Sequence, residues 1–463
     1  MHQPLHQPAA ATRPRTPATG GHVTAFRPPD LQLRTGEPTP DTSSGAGPAL
    51  PAWDRTQLRA IQRQLRRLGY YMPPLTIDGV FGAGTESGLV EAFGGDEWRT
   101  MEVTALTERL TQAEPAAGRR GQHNLRFGEM FKDGLLDMTL GIGFDEGGNH
   151  RNTITGFQEA LTARGFTRNT AEGIRLLQQA GRPLTEDAFG VFFVRPNALQ
   201  YHPPAGRERN IDAVVRLVYN RDAAAGGGAA ARAFSEGMAS SDVAYYSGHG
   251  RYGSGPDFDR NFRGFNVTDS TGRRRFLTEY EELERVMRRE GRSSGRSAWQ
   301  QFLWMQSRGL VEVLSSNEGN VFINPQDLHS EEFGARLIYW DLQRRGVNPV
   351  TGTGGPLASA AAANPERRYR VLVFDGCRTR DYVRSIRNTA GYDARSADIL
   401  ATRRTVDWGD EVRTLAAFLD SIIGQHSAEQ MVRDMDRQQG VAEGGPIGGA
   451  YGLEGMGDNP VIR

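Results

Sequence analysis

The sequence predicts an α/β protein in which helices flank a mostly parallel β-sheet, preceded by a small helical module. From about residue 126 to residue 425, short apolar runs alternate with amphipathic helical segments, as in sheets whose strands are joined by helices. The apolar runs are continuous rather than alternating, so the sheet is expected to be covered on both faces. Apolar residues are 38% and charged residues 24% of the 463 residues, enough for a folded core. The length predicts two or three domains.

Charge and cysteine content exclude several classes of protein. Lys plus Arg and Asp plus Glu number 55 each, whereas a general nucleic-acid or membrane-surface binder needs a basic excess. The single cysteine excludes an internal disulfide framework and a multi-cysteine zinc site. Lys132 is the only lysine, a bias typical of a GC-rich bacterial genome. No run approaches about 18 apolar residues and no standard secretory signal is visible, so we expect a bacterial protein that is cytoplasmic or exported by another route.

The first ordered segment is expected after residues 1–52, which lack hydrophobic periodicity and are rich in Pro, Thr, Gly and Ala, as in a disordered arm. An apolar stripe at helical spacing then predicts a helix ended by Gly69: Leu58, Ile61, Leu65 and Leu68. The turn IDGVFGAGT follows, and Thr85 is expected to open a second short helix that runs through Phe93.

This arrangement of helix, turn and helix resembles the peptidoglycan-binding-like three-helix fold, in which a DG-x-FG-x-x-T turn joins an LQ-x-x-L-x-x-LGY helix to the next one. The resemblance covers residues 54 to about 112, within a predicted domain 53–112, and implies peptidoglycan as a partner. Small bundles of this kind also serve as propeptides or protein-binding modules, and these alternatives stay open. Residues 113–125 are expected to be a linker.

A second domain is predicted over residues 126–440. Its candidate strands are 138–144, 189–194, 242–246, 370–374 and 397–401, and its candidate helices are 153–164, 229–239 and 411–423. The strand 189–194 is expected to stop at Pro196, and residues 211–219 fit strand and helix equally poorly. Residues 441–463 contain seven glycines and are expected to be a flexible Gly-rich tail.

Two of the predicted strands are followed by residues with reactive side chains. The run VAYYSGHG places His249 after one strand, and VLVFDGCRT places Cys377 after another. Reactive groups gather at the carboxyl ends of strands in open α/β sheets, so we expect these two residues to meet. An imidazole promotes the thiolate and then protonates a leaving amine. The backbone N–H groups of Gly250 and Cys377 are candidates for an oxyanion hole, each contributing about 3 kcal/mol.

The segments YYSGHG and FDGC resemble the blocks that carry the catalytic histidine and cysteine of the caspase-like peptidases (clan CD, caspase–hemoglobinase fold). The resemblance covers about residues 130–425 and implies a cysteine endopeptidase whose dyad is His249 and Cys377, with no required third member. The interval between them holds a polar, Arg-rich segment, about 255–330, which we interpret as an insertion acting as a lid or regulatory loop. The alternative of a packed cysteine and a hydrogen-bonded histidine stays open.

The resemblance also implies a substrate preference. The position two before the cysteine lines the S1 pocket in these enzymes, and here it is Asp375, so cleavage after a basic residue is expected, with arginine preferred to lysine. Further candidates for the pocket are Asp145, Glu146, Asp407 and Trp408. The alternative for Asp375 is a carboxylate that caps the turn.

Arginine specificity would expose the chain to its own activity. Candidate sites of self-cleavage are Arg119-Arg120, Arg273 to Arg275 and Arg288 to Arg296. All three stretches are polar, and we expect them to be loop-like. Protein or peptide substrates are the predicted partners of the second domain.

Two other functions stay open. A cell-wall hydrolase would agree with the N-terminal module, although four scattered histidines give no zinc-ligand set: His123, His150, His202 and His329. A catalytically inactive caspase-like scaffold is the other, and the presence of both dyad residues disfavours it. Neither a metal nor a cofactor is predicted. Calcium activates some metacaspase-like relatives, but Asp257 and Asp259 are too few carboxylates for a calcium site.

Overall fold

The computed structural model describes most of the chain from residue 53 onward. The described residues are 53–71, 75–115, 121–145, 147–182, 184, 188–221, 226–250, 256–260, 262–315, 332–348, 353–364, 368–393, 395–404, 406, 408–439, 449–456 and 459–462. The predicted disordered arm, 1–52, lies outside them. No helix within these ranges is long and apolar enough to cross a membrane.

The described part of the N-terminal module contains three α-helices, α1 (Arg55–Leu68), α2 (Ala83–Phe93) and α3 (Val103–Gln112). Asp54 and Gln57 form a capping box at the start of α1, and Gly69 ends that helix in the left-handed conformation, with φ of 88°, as expected for a glycine C-cap. The indole of Trp98 is fully buried among the apolar faces of the three helices. The predicted helical stripe therefore forms the core of this module.

Eleven strands in two sheets follow within the described residues. They are β1 (Leu135–Ile142), β2 (Thr167–Arg168), β3 (Val191–Tyr201), β4 (Arg209–Tyr219), β5 (Val243–Ser247), β6 (Phe262–Thr268), β7 (Arg274–Leu277), β8 (Val311–Ser315), β9 (Arg370–Asp375), β10 (Ala397–Thr402) and β11 (Tyr451–Glu454). The main sheet has the order β11-β10-β9-β5-β1-β4-β3-β2. Its five central strands, from β10 to β4, are parallel, and the edge strands are antiparallel.

Helices cover both faces of this sheet. The remaining helices are α4 (Phe127–Met130), α5 (His150–Ala163), α6 (Thr170–Gln179), α7 (Gly228–Ser240), α8 (Tyr280–Gly291), α9 (Ala298–Ser307), α10 (Phe333–Arg344), α11 (Pro356–Ala363), α12 (Val383–Ala390), α13 (Glu411–Ile423) and α14 (Ala428–Gln438). The apolar faces of α5, α13 and α14 pack on one side, and those of α7, α11 and α12 on the other. The predicted α/β fold with a mostly parallel sheet is confirmed.

Strand β3 differs from the prediction because it continues past Pro196. The pairing of β3 with β4 shifts between Arg195 and Leu199, and Asn197 has a positive φ of 48°. Such an irregularity accommodates a proline that cannot donate to the ladder. Residues 211–219, left undecided by their apolar pattern, belong to strand β4.

The segment interpreted as a lid or regulatory loop is a folded unit. Strands β7, β6 and β8 form an antiparallel sheet, and α8, α9 and α10 pack with it around a separate apolar core.

Two of the three candidate self-cleavage stretches therefore lie largely in regular structure. Arg274 and Arg275 are in β7. Arg288 and Arg289 lie in the last turn of α8, which leads into a 3-10 helix, Arg292–Ser294. The expectation that these stretches are loop-like is wrong, because their apolar neighbours pack into the core of the folded unit. Arg119-Arg120 lies outside the described residues.

The predicted Gly-rich tail contains an ordered edge strand. β11 pairs antiparallel with β10, and Tyr451 is 2% exposed. Farther on, Val461 N donates to Gly69 O at 3.0 Å and Ile462 N donates to Gln122 O at 2.8 Å. Glycine content indicated flexibility, but the apolar side chains between the glycines fix residues 449–456 and 459–462 to the body of the protein.

Candidate active site

The two segments predicted to carry chemistry touch each other at the carboxyl end of the sheet. Ser247 of β5 stands opposite Asp375 of β9, and Gly248 N donates to the Asp375 carbonyl at 3.0 Å. A Cβ at Gly250 would lie 2.4 Å from the carbonyl oxygen of Cys377, so the backbones approach more closely than any other residue permits. The loops that carry His249 and Cys377 are therefore in direct contact.

His249 is oriented by a carboxylate that follows the neighbouring strand β1. Its Nε2 lies 3.0 Å from Asp145 Oδ1, and the second oxygen, Oδ2, accepts a bond from Asn149 N at 2.9 Å. Asp145 is 7% exposed, whereas a third of the His249 side chain is exposed. When Nε2–H donates to Asp145, Nδ1 is the basic ring nitrogen.

This arrangement changes the role expected of Asp145. The resemblance implied a pocket residue and a dyad with no third member. In the structure both carboxylate oxygens are already engaged, one by the imidazole of His249 and the other by the N–H of Asn149. The carboxylate is therefore placed to fix the imidazole and to stabilise its protonated form.

Cys377 lies on a sharp turn between β9 and the 3-10 helix Thr379–Tyr382. The cysteine is half-buried, and the next residue, Arg378, has a positive φ of 55°, a conformation that costs free energy in a residue with a side chain. The turn is held by Thr379, whose hydroxyl donates to Phe374 O at 2.7 Å and whose N–H donates to Thr402 Oγ1 at 3.1 Å. The thiol is thus presented on a strained and rigidly supported turn.

The two expected oxyanion-hole donors are compatible with that role. Within the described residues, neither Gly250 N–H nor Cys377 N–H has a hydrogen-bond acceptor. Both belong to the touching loops. A carbonyl oxygen bound between them would receive two backbone donors, the arrangement that stabilises a developing oxyanion.

Asp375 lies beneath the loops and has no exposed surface. Its oxygens accept hydrogen bonds from Tyr245 Oη at 2.9 Å and from Tyr451 Oη at 2.5 Å. Burial raises the pKa of this carboxyl to about 6, although the two tyrosine hydroxyls act in the opposite direction. A substrate cation would reach Asp375 only with a rearrangement of these tyrosines.

Glu411 is a second buried carboxyl at this edge, which the sequence analysis missed. It begins α13, is 2% exposed, and accepts a bond from Thr153 Oγ1 at 3.1 Å. Burial, followed by the charges of Asp375 and Asp145, raises its pKa well above the usual value. Ser247 Oγ lies near enough to favour its charged form but has no partner within hydrogen-bond geometry among the described residues.

Three other residues are predicted to line the S1 pocket. Two of them, Glu146 and Asp407, lie outside the described residues. Trp408 begins a 3-10 helix, Trp408–Asp410, directly before α13. Among the residues that the structure describes, no group of three His, Cys, Asp or Glu side chains is placed to hold a metal ion.

The buried Asp375 is expected to make stability depend on pH. Its folded pKa of about 6 exceeds the ordinary 3.8. Its contribution to the free energy of unfolding, about 3 kcal/mol, is therefore fully present below about pH 4 and is lost as the pH rises through about 6. We expect Asp375→Asn to remove this dependence. Denaturant unfolding would be measured at about pH 4 and about pH 7.5. We expect the free energy of unfolding of the variant, relative to that of the wild type, to be higher at about pH 7.5 than at about pH 4. The exposed Asp420→Asn is the control, and an unchanged difference for Asp375→Asn would contradict the assignment.

Comparison with known proteins identifies the N-terminal module. Residues 54–92 match the family model of a peptidoglycan binding domain. The match spans α1, the IDGVFGAGT turn and most of α2, and it confirms the resemblance stated for this part of the chain. No curated protein and no solved structure matches the chain.

The peptidoglycan-binding domain has a groove between α1 and α3 with a mainly apolar lining. Its volume is about 480 Å³, and several hydroxyl, amide and carboxylate side chains also line it: Thr56, Gln57, Thr104, Thr107, Glu108 and Thr111. Such groups suit the hydroxyls and amides of a glycan or peptide strand. The chain therefore combines a peptidoglycan-binding domain with an α/β domain that carries the contacting His249 and Cys377 loops.

Proposed function

We propose that the α/β domain is a cysteine peptidase in which Cys377 attacks a peptide carbonyl and His249 transfers the protons. The observation that supports this most strongly is the contact between their two loops at the carboxyl end of the sheet, where the Gly250 backbone meets Cys377 O. The Asp145 carboxylate at 3.0 Å from His249 Nε2 adds the group that orients an imidazole base.

The reaction follows from these roles. His249 Nδ1 takes the proton of the Cys377 thiol, and the thiolate forms a bond to the carbonyl carbon, while the N–H groups of Gly250 and Cys377 hold the oxyanion. The imidazolium then gives its proton to the leaving amine as the C–N bond breaks. Water adds to the thioester and gives a proton to the imidazole, the C–S bond breaks to release the acid product, and the imidazolium returns its proton to the Cys377 thiolate.

The same site favours cleavage after a basic residue, arginine above lysine. Asp375 and Glu411 are both buried, burial raises the pKa of each carboxyl, and the charge of Asp375 raises the pKa of Glu411 further. A guanidinium would supply the missing positive charge, and the Ser247 hydroxyl could accept one of its N–H groups. Tyr245 and Tyr451 would then have to shift from Asp375.

Glu411 provides a test of this specificity. We expect Glu411→Gln to lower kcat/KM for arginyl peptides by at least about tenfold, because a charge-assisted bond to the substrate is worth about 1.5–3 kcal/mol, and to leave hydrolysis after uncharged residues largely unchanged. Glu159→Gln, at an exposed position of α5, is the matched control. An equal loss for charged and uncharged substrates would assign Glu411 to the fold instead of the pocket.

The peptidoglycan-binding domain favours a second candidate function, a cell-wall hydrolase. In the peptidase proposal that domain holds the enzyme on the wall, and the substrates are proteins or peptides found there. Self-cleavage at Arg119-Arg120 belongs to the same proposal.

One experiment separates the candidates. The wild type and Cys377→Ala are incubated with fluorogenic peptides ending in Arg, Lys or Asp and, in parallel, with purified peptidoglycan. Release of the fluorophore from the Arg and Lys peptides that requires Cys377, without fragments from peptidoglycan, supports the peptidase. Soluble fragments from peptidoglycan alone support the wall hydrolase, and no turnover of either, with binding to peptidoglycan retained, supports an inactive binding protein.

A further inference from the structure

A second cavity lies at the junction between the peptidoglycan-binding domain and the α/β domain. Its volume is about 290 Å³, and it is lined by five separate stretches of the chain. Tyr70 and Glu91 come from the N-terminal domain, Asn124 from the segment after α3, Tyr201 from the end of β3, and Gln425 from the end of α13. The cavity is distinct from the Cys377 site, since none of its lining residues belongs to the loops described above.

Glu91 is the acidic group of this cavity, and His202, whose Nδ1 lies 3.3 Å from Glu208 Oε2, is a further titratable residue of its lining. Glu91 is 4% exposed, and its two oxygens accept hydrogen bonds from Gly128 N at 3.0 Å and Glu129 N at 2.9 Å. Burial, and then the charge of Glu129, raises its pKa to about 8, against a smaller opposing effect of Arg126. Because buried carboxylates are costly without a cation, burial keeps this group largely protonated near neutral pH.

Several hydrogen-bonding groups around Glu91 are unsatisfied. In the part of the chain that the structure describes, Tyr70 Oη, Tyr201 Oη and the Asn124 side-chain amide make no hydrogen bond. Both phenols lie close enough to Glu91 for its charge to raise their pKa further beyond the effect of burial. Phe127 adds an apolar face to the same wall. Aromatic rings around a buried carboxyl are the surroundings that favour an organic cation.

We propose that this junction cavity binds a small ligand that carries an alkylammonium group, with the ammonium against Glu91 and the hydroxyls of Tyr70 and Tyr201, and the alkyl part against Phe127 and the two tyrosine rings. An ammonium would favour the ionised form of Glu91, with release of its proton, and would pair with it, whereas a neutral alcohol or a carboxylate would gain no such charge-assisted bond. Ligand binding in this cavity is independent of the proposed peptidase activity, because the cavity contains no residue of the Cys377 site.

The test uses n-butylammonium chloride as the probe and the full chain carrying Cys377→Ala, so that peptidase chemistry cannot interfere. We expect a dissociation constant on the order of 1 mM, as for a ligand of about five non-hydrogen atoms. n-Butanol and sodium butyrate, titrated under the same conditions by calorimetry, are expected to bind at least about tenfold more weakly. Equal binding of n-butanol would overturn the proposal in favour of a cavity that accepts only the alkyl chain.

Two variants and a proton count locate the binding. Tyr70→Phe is expected to weaken n-butylammonium binding several-fold, while Tyr71→Phe, whose hydroxyl donates instead to Thr76 O at 2.9 Å, leaves it unchanged. Glu91→Gln is expected to lose at least about tenfold in affinity. Calorimetry at about pH 7 in buffers of different ionisation enthalpy is expected to show release of up to about 0.9 proton per ligand from the Cys377→Ala chain with Glu91 intact. Binding without proton release, or unaffected by Glu91→Gln, would overturn the proposal.

Discussion

Replacing Cys377 with alanine is expected to lower kcat/KM for arginyl peptides by at least about 10³, because the proposed nucleophile that forms the acyl intermediate is lost. The change removes one sulfur from a half-buried position, so the fold should persist. Rates with fluorogenic peptides and thermal unfolding curves of both proteins provide the measurement.

His249→Ala serves as the companion to this variant. Residues that act as one unit lose activity together, so the double variant is expected to be no less active than either single variant. Unchanged cleavage by Cys377→Ala, with a normal unfolding curve, would show that the nucleophile lies elsewhere and would end the peptidase proposal.

Replacing Asp145 with asparagine is expected to lower kcat by about 10²–10³ with little change in KM, because the amide cannot stabilise the imidazolium of His249 and favours the wrong tautomer. The substitution keeps the size of the side chain and leaves the Asn149 N–H with an acceptor. Steady-state kinetics on an arginyl and an uncharged peptide give both constants.

The kinetic constants distinguish two roles for Asp145. If it lined the substrate pocket, as the resemblance implied, its loss would raise KM for the arginyl peptide and spare the uncharged one. A fall in kcat for both peptides identifies it as a positioning residue. Asn149→Ala, which keeps the backbone N–H bonded to Asp145, is the control and should retain nearly full activity.

Much of the fold could be predicted because parallel strands are buried on both faces. The runs around Val243 and Val371 are continuous and apolar, and both are central strands. Edge strands lack this signal. Strand β11 contains and is flanked by glycines, and β3 continues past Pro196 because its pairing with β4 shifts there. Their positions depend on contacts with distant strands, which local composition does not encode.

Some residues of the candidate site could likewise be predicted from the sequence, and others could not. His249 and Cys377 follow apolar runs, so their position at one edge of the sheet follows from the order of the strands. The contact of Asp145 with His249 joins residues 104 positions apart, and a loop's direction cannot be read from its own residues. Glu411 at the first turn of α13 has the sequence signature of an ordinary helix start. Tyr451, the partner of Asp375, lies in a stretch whose glycines indicated flexibility.

The most direct measurement is mass spectrometry of the intact protein after treatment with a peptidyl-arginyl acyloxymethyl ketone, which alkylates a cysteine that is activated beside a bound substrate. We expect one adduct, located on Cys377 by peptide mapping, that forms rapidly in the wild type and far more slowly in His249→Ala. A protein that remains unmodified, or one alkylated equally fast without His249, would contradict the claim that these two residues act on a common peptide bond.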